Sequence, residues 1–312
     1  DYDGKVIKVA SIYVPNGGPS ANDIKAGIKD ETKTYNFEKK MKFCDRLVKK
    51  FQETIKDGDI AFFGGDYNVC PNLNMDVYSQ NFTVTLPDVG KNSCLTNKGF
   101  LRMFQEIGAI HSSQFGYGLN DAKETGLFWI ILNWKLEVFQ RPKWNEVLSV
   151  STWCTHHTHI YFYRDYQVCN SSGEVVAIAT SKWILFDFNK KSVFRITENF
   201  TENYCKDVDK NVFDVKMVEK FKEPENSKLV NEYTVLKRDI DSNHHVNNLN
   251  YLDFAYEVLP ENIDFKNVEI MYKNEARLGD ILQFYYTVEN NCSTITIRTK
   301  DSNKLNCIIR LY

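Results

Sequence analysis

Nowhere does the sequence hold an apolar run approaching the ~20 residues that a bilayer-spanning helix needs, so membrane-spanning helices are not expected. A secretory leader is not expected either, because the opening DYDGKVIKVA is charged and has no apolar core. Cysteine is present but unorganised. Cys44, Cys70, Cys94, Cys154, Cys169, Cys205, Cys292 and Cys307 show no CxxC and no regular spacing. That speaks against a disulfide scaffold and for reduced thiols in the cytoplasm. Excess charge of one sign is missing too. A formal net charge of −2 over 312 residues argues against a general binder of polyanions. What the chain does have is 43% hydrophobic and 14% aromatic residues, ample for packed cores and unlike a disordered protein. The length suggests two or three compact units.

Two textures divide the chain. Residues 1–78 read as strand, helix and strand. VIKVASIYV and DIAFFGGDYNV are buried-type strands. Phe37, Met41, Cys44, Leu47, Phe51 and Ile55 fall at helical spacing between them. From about residue 79 a helix candidate, NKGFLRMFQEIGAIHSSQFG, is followed by long amphipathic strands such as LFWIILNWKLEVF and EVVAIATSKWILFDF. The segment 199–228 is charged and irregular and reads as a linker. Residues 229–312 then repeat the same order of strand, helix and strands. KLEVFQRPKWNEVL and EIMYKNEARLGDIL can be laid over each other, which indicates an internal duplication of one helix plus an antiparallel sheet.

The densest polar cluster is KRDIDSNHHVNNLNYLDFAYEVLP, residues 237–260. Asp241, Asn243 and His245 stand at i, i+2 and i+4. On an extended segment they point to one face, with Ser242 and His244 on the other. Leu249, Leu252, Tyr256 and Leu259 follow as a buried stripe, so a helix is expected to begin at the cluster. Backbone N–H groups at a helix start, aided by an Asn amide, suit a developing oxyanion. An Asn/Asp-rich helix cap with a satisfied histidine explains the same residues, and spacing alone favours it.

GLFWIILNWKLEVFQRPKWNEVLSVSTW, YRDYQV, ATSKWILFD and above all DSNHHVNNLNYLDFAYE resemble the acyl-acyl carrier protein thioesterases of plants and bacteria, over nearly all of residues 79–312. The resemblance implies an α+β fold of two tandem hotdog domains, each a sheet wrapped round a helix, at 79–198 and 229–312. It implies hydrolysis of acyl-acyl carrier protein (acyl-ACP) thioesters, releasing fatty acid and ending its synthesis. It also implies an active site of Asp241, Asn243, His245 and Glu275, with Glu275 as general base or nucleophile. Plant members often carry Cys after this Glu. Here it is Ala276, so a Cys–His scheme is not open at that position. No cofactor is implied, and the partner is an acyl carrier protein bearing its acyl chain, met by a monomer or homodimer.

Residues 1–78 resemble a fragment of the exonuclease III-type AP endonucleases, through VASIYVPNGG, MKFCDRL and GGDYNVCP. That resemblance gives Tyr13, Asp66 and Asn68 phosphate-contacting roles. The upstream metal-binding Asn and Glu and the downstream Asp–His pair are absent from the match, so the fragment is expected to be inactive. Lys plus Arg and Asp plus Glu each number twelve in residues 1–80, without the basic excess of a nucleic-acid-binding module. A metal-dependent repair nuclease with a hotdog appendage is the alternative function, and a non-catalytic acyl-binding hotdog is a third.

Three other features read as structural. His156, His157 and His159 in CTHHTHIYF fit a hairpin tip better than a metal site. Glu257 fits a hydrogen-bonded core position. Trp129, Trp134, Trp153 and Trp183 fit sheet core or the lining of an acyl tunnel.

Overall fold

The computed structural model describes residues 76–312 except 205–207, 215–219 and 262, together with residues 7–13, 46, 49–50, 53 and 60–66. The chain divides into two units, Asp1–Leu73 and Asn74–Tyr312. In the first unit β1 (Ile7–Tyr13) and β2 (Ile60–Asp66) pair in parallel, Tyr13 opposite Asp66. Parallel strands need a long crossover, and Arg46, Lys49, Lys50 and Glu53 between them are helical, within the helix expected from periodicity. The side chains of Tyr13 and Asp66, and the whole of Asn68, lie outside the described residues.

The second unit is built on an antiparallel sheet. Its strands are β3 (Val77–Thr83), β4 (Leu127–Val138), β5 (Val147–His157), β6 (Phe162–Cys169), β7 (Val175–Asp187), a two-residue β8 (Ser192–Val193), β9 (Lys228–Thr234), β10 (Asn267–Tyr272), β11 (Ile281–Glu289), β12 (Cys292–Thr299) and β13 (Lys304–Leu311). Across the sheet the order is β3-β5-β6-β7-β4-β10-β13-β12-β11-β9, with β8 against β7. Taken from the two edges inward, both halves have the same order: β3-β5-β6-β7-β4 and β9-β11-β12-β13-β10. They join at β4 and β10, where Trp134 faces Ile270. The duplication seen in the sequence is therefore a duplication of topology, in the expected α+β arrangement.

Each half folds over one main helix. In the first, α1 (Asn97–Ser113) buries Phe100, Leu101, Met103, Phe104, Ile107 and His111 at three- and four-residue spacing. Its N-cap Thr96 hydroxyl accepts the Gly99 N–H at 3.0 Å. The short α2 (Ala122–Thr125) and α3 (Glu198–Asn203) follow in the chain. In the second half α4 (Asn250–Tyr256) is shorter than the sequence pattern suggests and buries Tyr251, Leu252, Phe254 and Ala255. Leu249 and Leu252 are buried as expected, but Tyr256 is 38% exposed and Leu259 only half-buried. The stripe breaks because α4 faces a neighbouring helix as well as the sheet. The Tyr256 hydroxyl turns to α1, where it accepts from Asn97 Nδ2 at 2.8 Å. Trp134 and Trp153 are fully buried, and Trp129 and Trp183 are half-buried.

The stretch that reads as a linker is anchored to both halves. Phe200 and Tyr204 are buried beside Phe162 and Leu185. Trp153 Nε1 donates to the Lys210 carbonyl at 2.7 Å, and Arg298 forks onto Glu223. The Val212 N–H donates to Asp165 Oδ2 at 2.8 Å. Burial pushes the Asp165 carboxyl up to about 6, against the opposing pull of the Val212 N–H, a hydrogen bond from Thr180 and the charge of Lys210. A carboxyl with its folded pKa above its unfolded value takes up a proton on folding. Stability should therefore be highest below about pH 4 for this group and fall as pH rises towards 6. Asp165→Asn keeps an acceptor for Val212 and removes the buried charge. It should raise unfolding stability near neutrality by roughly 2–3 kcal/mol, and by little at pH 4. Urea unfolding at several pH values checks this; a pH-independent difference would contradict it.

Candidate active site

After β9 comes a single 3-10 turn, Lys237–Asp239. Ile240 and Val246 then form an antiparallel bridge that encloses residues 241–245. The loop closes through Asp241 N–H to the His245 carbonyl at 2.9 Å and His244 N–H to the Asp241 carbonyl at 3.1 Å. Asp241 Oδ1 accepts the Asn243 N–H at 2.8 Å and the His245 N–H at 3.5 Å. His244 takes a left-handed conformation, φ 64°. The expected extended alternation is thus replaced by a turn. The Asp241 carboxylate reinforces that turn by accepting two backbone N–H groups. Asp241 orders this loop through the backbone rather than through the His245 ring. Asn243 and His244 are exposed, and Asp241 and His245 are half-buried.

Val246 N–H donates to the Ala276 carbonyl at 2.9 Å, which lays the loop beside the segment after β10. His245 Nε2 then meets Glu275 Oε2 at 2.9 Å. The other carboxylate oxygen, Oε1, accepts from Arg277 at 2.7 Å. Behind them the buried Asn306 side chain donates to the carbonyls of Asn274 and Glu275 at 3.2 and 3.3 Å and is itself braced by Thr299. Ala276 is fully buried, so no thiol stands at that position beside His245. An ionised carboxylate only accepts, so in this contact the Nε2 carries the proton.

Of the four residues expected in the site, His245 and Glu275 touch, Asp241 shapes the loop, and Asn243 lies on its exposed rim. The remaining asparagines do other work than facing a substrate. Asn247 Oδ1 accepts the Leu249 N–H at 3.0 Å, Asn248 Oδ1 accepts from Gln105 at 2.8 Å, and Asn250 Nδ2 donates to the Asp239 carbonyl at 3.2 Å. The N–H groups of Leu249 and Asn250 both close on Asn247, and α4 starts five residues beyond His245. Glu257 is exposed, contrary to the core position expected for it, because it extends past the end of α4 onto the rim of a cavity of about 530 Å³ with Tyr233 and Phe254. His156 stacks on Tyr163 with ring centroids 4.0 Å apart, while His157 and His159 are exposed. Among the described residues no group of three His, Cys, Asp or Glu is arranged to hold a metal ion.

Arg277 and Asn306 were missed from sequence. Arg277 had a signal, since it stands two residues after Glu275 and shares its face in an extended segment. Asn306 had none, because its contact spans 31 residues.

The first half holds the same loop without this chemistry. Val89 and Leu95 bridge as Ile240 and Val246 do. Gly90 N–H donates to the Cys94 carbonyl at 2.9 Å, Ser93 N–H to the Gly90 carbonyl, and Leu95 N–H to the Pro142 carbonyl. Ser93 has φ 54°, as His244 has 64°. Gly90, Asn92, Cys94 and Arg141 therefore occupy the places of Asp241, Asn243, His245 and Glu275. Arg141 is structural: it donates to the carbonyls of Leu95 and Phe265, to Asn97 Oδ1 and to Asp264. The backbone closes without Asp, His or Glu, so a helix-capping role does not account for the charged set in the second half.

The family model described as Acyl-ACP thioesterase N-terminal domain matches residues 75–204, and that of the Acyl-ACP thioesterase C-terminal domain matches residues 222–309. Among curated proteins, oleoyl-acyl carrier protein thioesterase 2, chloroplastic, of Arabidopsis thaliana is 25% identical over 237 residues, 68% of this chain and 63% of the relative. The palmitoyl-acyl carrier protein thioesterase, chloroplastic, of Gossypium hirsutum is 24% identical over 242 residues, 73% of this chain and 59% of the relative. The chain thus spans about three-fifths of the length of the curated relatives it matches. Two solved structures share the fold. An acyl-ACP thioesterase from Bacteroides thetaiotaomicron has TM-score 0.68 and 21% identity, covering 76% of this chain and 97% of that one. The 12:0-ACP thioesterase from Umbellularia californica has TM-score 0.63 and 18% identity, covering 75% and 96%.

Proposed function

The chain belongs to the acyl-ACP thioesterase family, and we propose that it hydrolyses acyl-ACP thioesters, releasing a free fatty acid and the carrier's thiol and so ending fatty acid synthesis. The observation that carries this reading is the 2.9 Å contact between His245 and Glu275, present in only one of two otherwise matching loops. Glu275 takes a proton from the attacking water, whose oxygen bonds to the thioester carbon. As the C–S bond breaks, the His245 Nε2–H goes to the departing sulfur and is replaced by the proton that Glu275 took from water, so both side chains end as they began. Asn243, on the exposed rim, polarises the carbonyl. Asp241 keeps the loop in shape. The partner is an acidic acyl carrier protein met by surface Lys and Arg, and the chain's thiols suit the reducing cytoplasm. Steady-state release of fatty acid from acyl carrier proteins of several chain lengths is the test. Turnover on at least one supports the proposal, and none on any, with the protein folded, refutes it.

In this reading the N-terminal unit, taken from its sequence as a nuclease-like fragment, is an inactive appendage. The units divide between Leu73 and Asn74, and β3 starts at Val77, so deletion of residues 1–73 leaves the sheet whole. Specific activity of the truncated protein should stay within about twofold. A large loss in a folded truncation, seen by circular dichroism, would place the appendage in the enzyme.

A further inference from the structure

Glu275 is gripped at both oxygens, by His245 at Oε2 and by Arg277 at Oε1. The carboxylate is half-exposed, and the terminal torsion of a glutamate is broad. One partner alone would leave its plane free to turn. Two partners on different oxygens fix both its position and its plane.

Arg277 is itself placed to do this. Its N–H donates to Asp280 Oδ2 at 2.8 Å, and the Asp280 N–H returns to the Arg277 carbonyl at 3.0 Å. Gly279, at φ 89°, gives its N–H to the Val235 carbonyl at 3.1 Å. That conformation suits glycine, and it ties the turn to the end of β9. A guanidinium stays charged and planar, so it holds one carboxylate oxygen in a defined direction at any working pH.

The first half again supplies a control. Lys143 N–H donates to Glu146 Oε1 at 3.0 Å, as Arg277 N–H does to Asp280. The turn is therefore duplicated, but the position two residues before Lys143 is Arg141. The cation–carboxylate pair occurs only in the copy that also has the histidine.

We propose that Arg277 is a positioning residue for the hydrolytic reaction, holding the Glu275 carboxylate so that one oxygen faces His245. This rests on the role given to Glu275 above. An ion pair this exposed adds little to folding, so its effect should show in turnover rather than stability. The experiment compares the full chain with Arg277→Ala, Arg277→Lys and Glu275→Ala on one acyl-ACP substrate. Arg277→Ala should lower kcat by about 10-fold with KM nearly unchanged, since misplacing a catalytic group costs rate rather than binding. Arg277→Lys should restore part of kcat. If Arg277→Ala matches the wild type in kcat while Glu275→Ala is inactive, the positioning role is wrong and the catalytic reading stands. A rise in KM alone would make Arg277 a contact for the carrier protein and overturn the proposal. If Glu275→Ala is fully active, the catalytic reading itself fails, and the role of Arg277 with it.

Discussion

Replacing Glu275 by alanine should lower turnover by roughly 10²–10⁴-fold, the range that a positioned acid–base group contributes. The loss should fall on kcat. The carboxylate sits at the His245 ring, and in the proposed mechanism it takes a proton from water while other surface charges dock the carrier protein. The fold should survive the change. Glu275 is exposed, and its backbone carbonyl remains held by Asn306. Its two side-chain pairs are half-exposed, the kind whose contribution to folding is about 0–1 kcal/mol. Steady-state kinetics with the melting temperature in parallel is the check. Full activity in a folded Glu275→Ala protein would remove the carboxylate from the chemistry.

His245→Ala should cost a similar factor, ~10²–10⁴-fold, for the same reason. The informative control is its neighbour. His244 is exposed, bends the loop through a positive φ and contributes no side-chain contact to Glu275. His244→Ala should therefore keep activity within about twofold. Because alanine also tolerates a left-handed conformation poorly, His244→Ala should cost roughly 1 kcal/mol of stability at most. If His244→Ala abolished turnover while His245→Ala kept it, the roles of the two rings would be reversed. If both kept full activity, the cluster would be a loop-forming motif without chemistry.

The duplication was legible in sequence because each half repeats strand, helix and four amphipathic strands, and alternation along a strand survives as a pattern of letters. His245 and Glu275 were legible too, through residues that resemble a known family. The conformation of the loop was not. Residues 241–245 alternate as an extended segment would, and only the Ile240–Val246 bridge and the Val246–Ala276 hydrogen bond make that stretch a turn. Nor could the sequence separate Asn243 from its three companions. Asn248 is held by Gln105 and Asn250 by Lys98, both from α1 and about 150 residues away, so their structural role appears only once the helices pack. The late start of α4 is local instead, since Asn247 takes up the N–H groups of Leu249 and Asn250. The inverse case is Arg141. In sequence it is one more surface cation, whereas in the fold it stands where the other half places Glu275.

That pairing of one loop with its copy also gives the sharpest test of where hydrolysis takes place. Cys94 and His245 occupy matching positions in two backbones that close through the same hydrogen bonds. Single-turnover release of carrier-protein thiol, with enzyme in excess over acyl-ACP, should be measured for the wild type, Cys94→Ala and His245→Ala. Chemistry confined to the second loop predicts that Cys94→Ala releases thiol at the wild-type rate and His245→Ala at a rate lower by roughly 10²-fold or more. Loss of release in Cys94→Ala, or undiminished release in a folded His245→Ala, would contradict it.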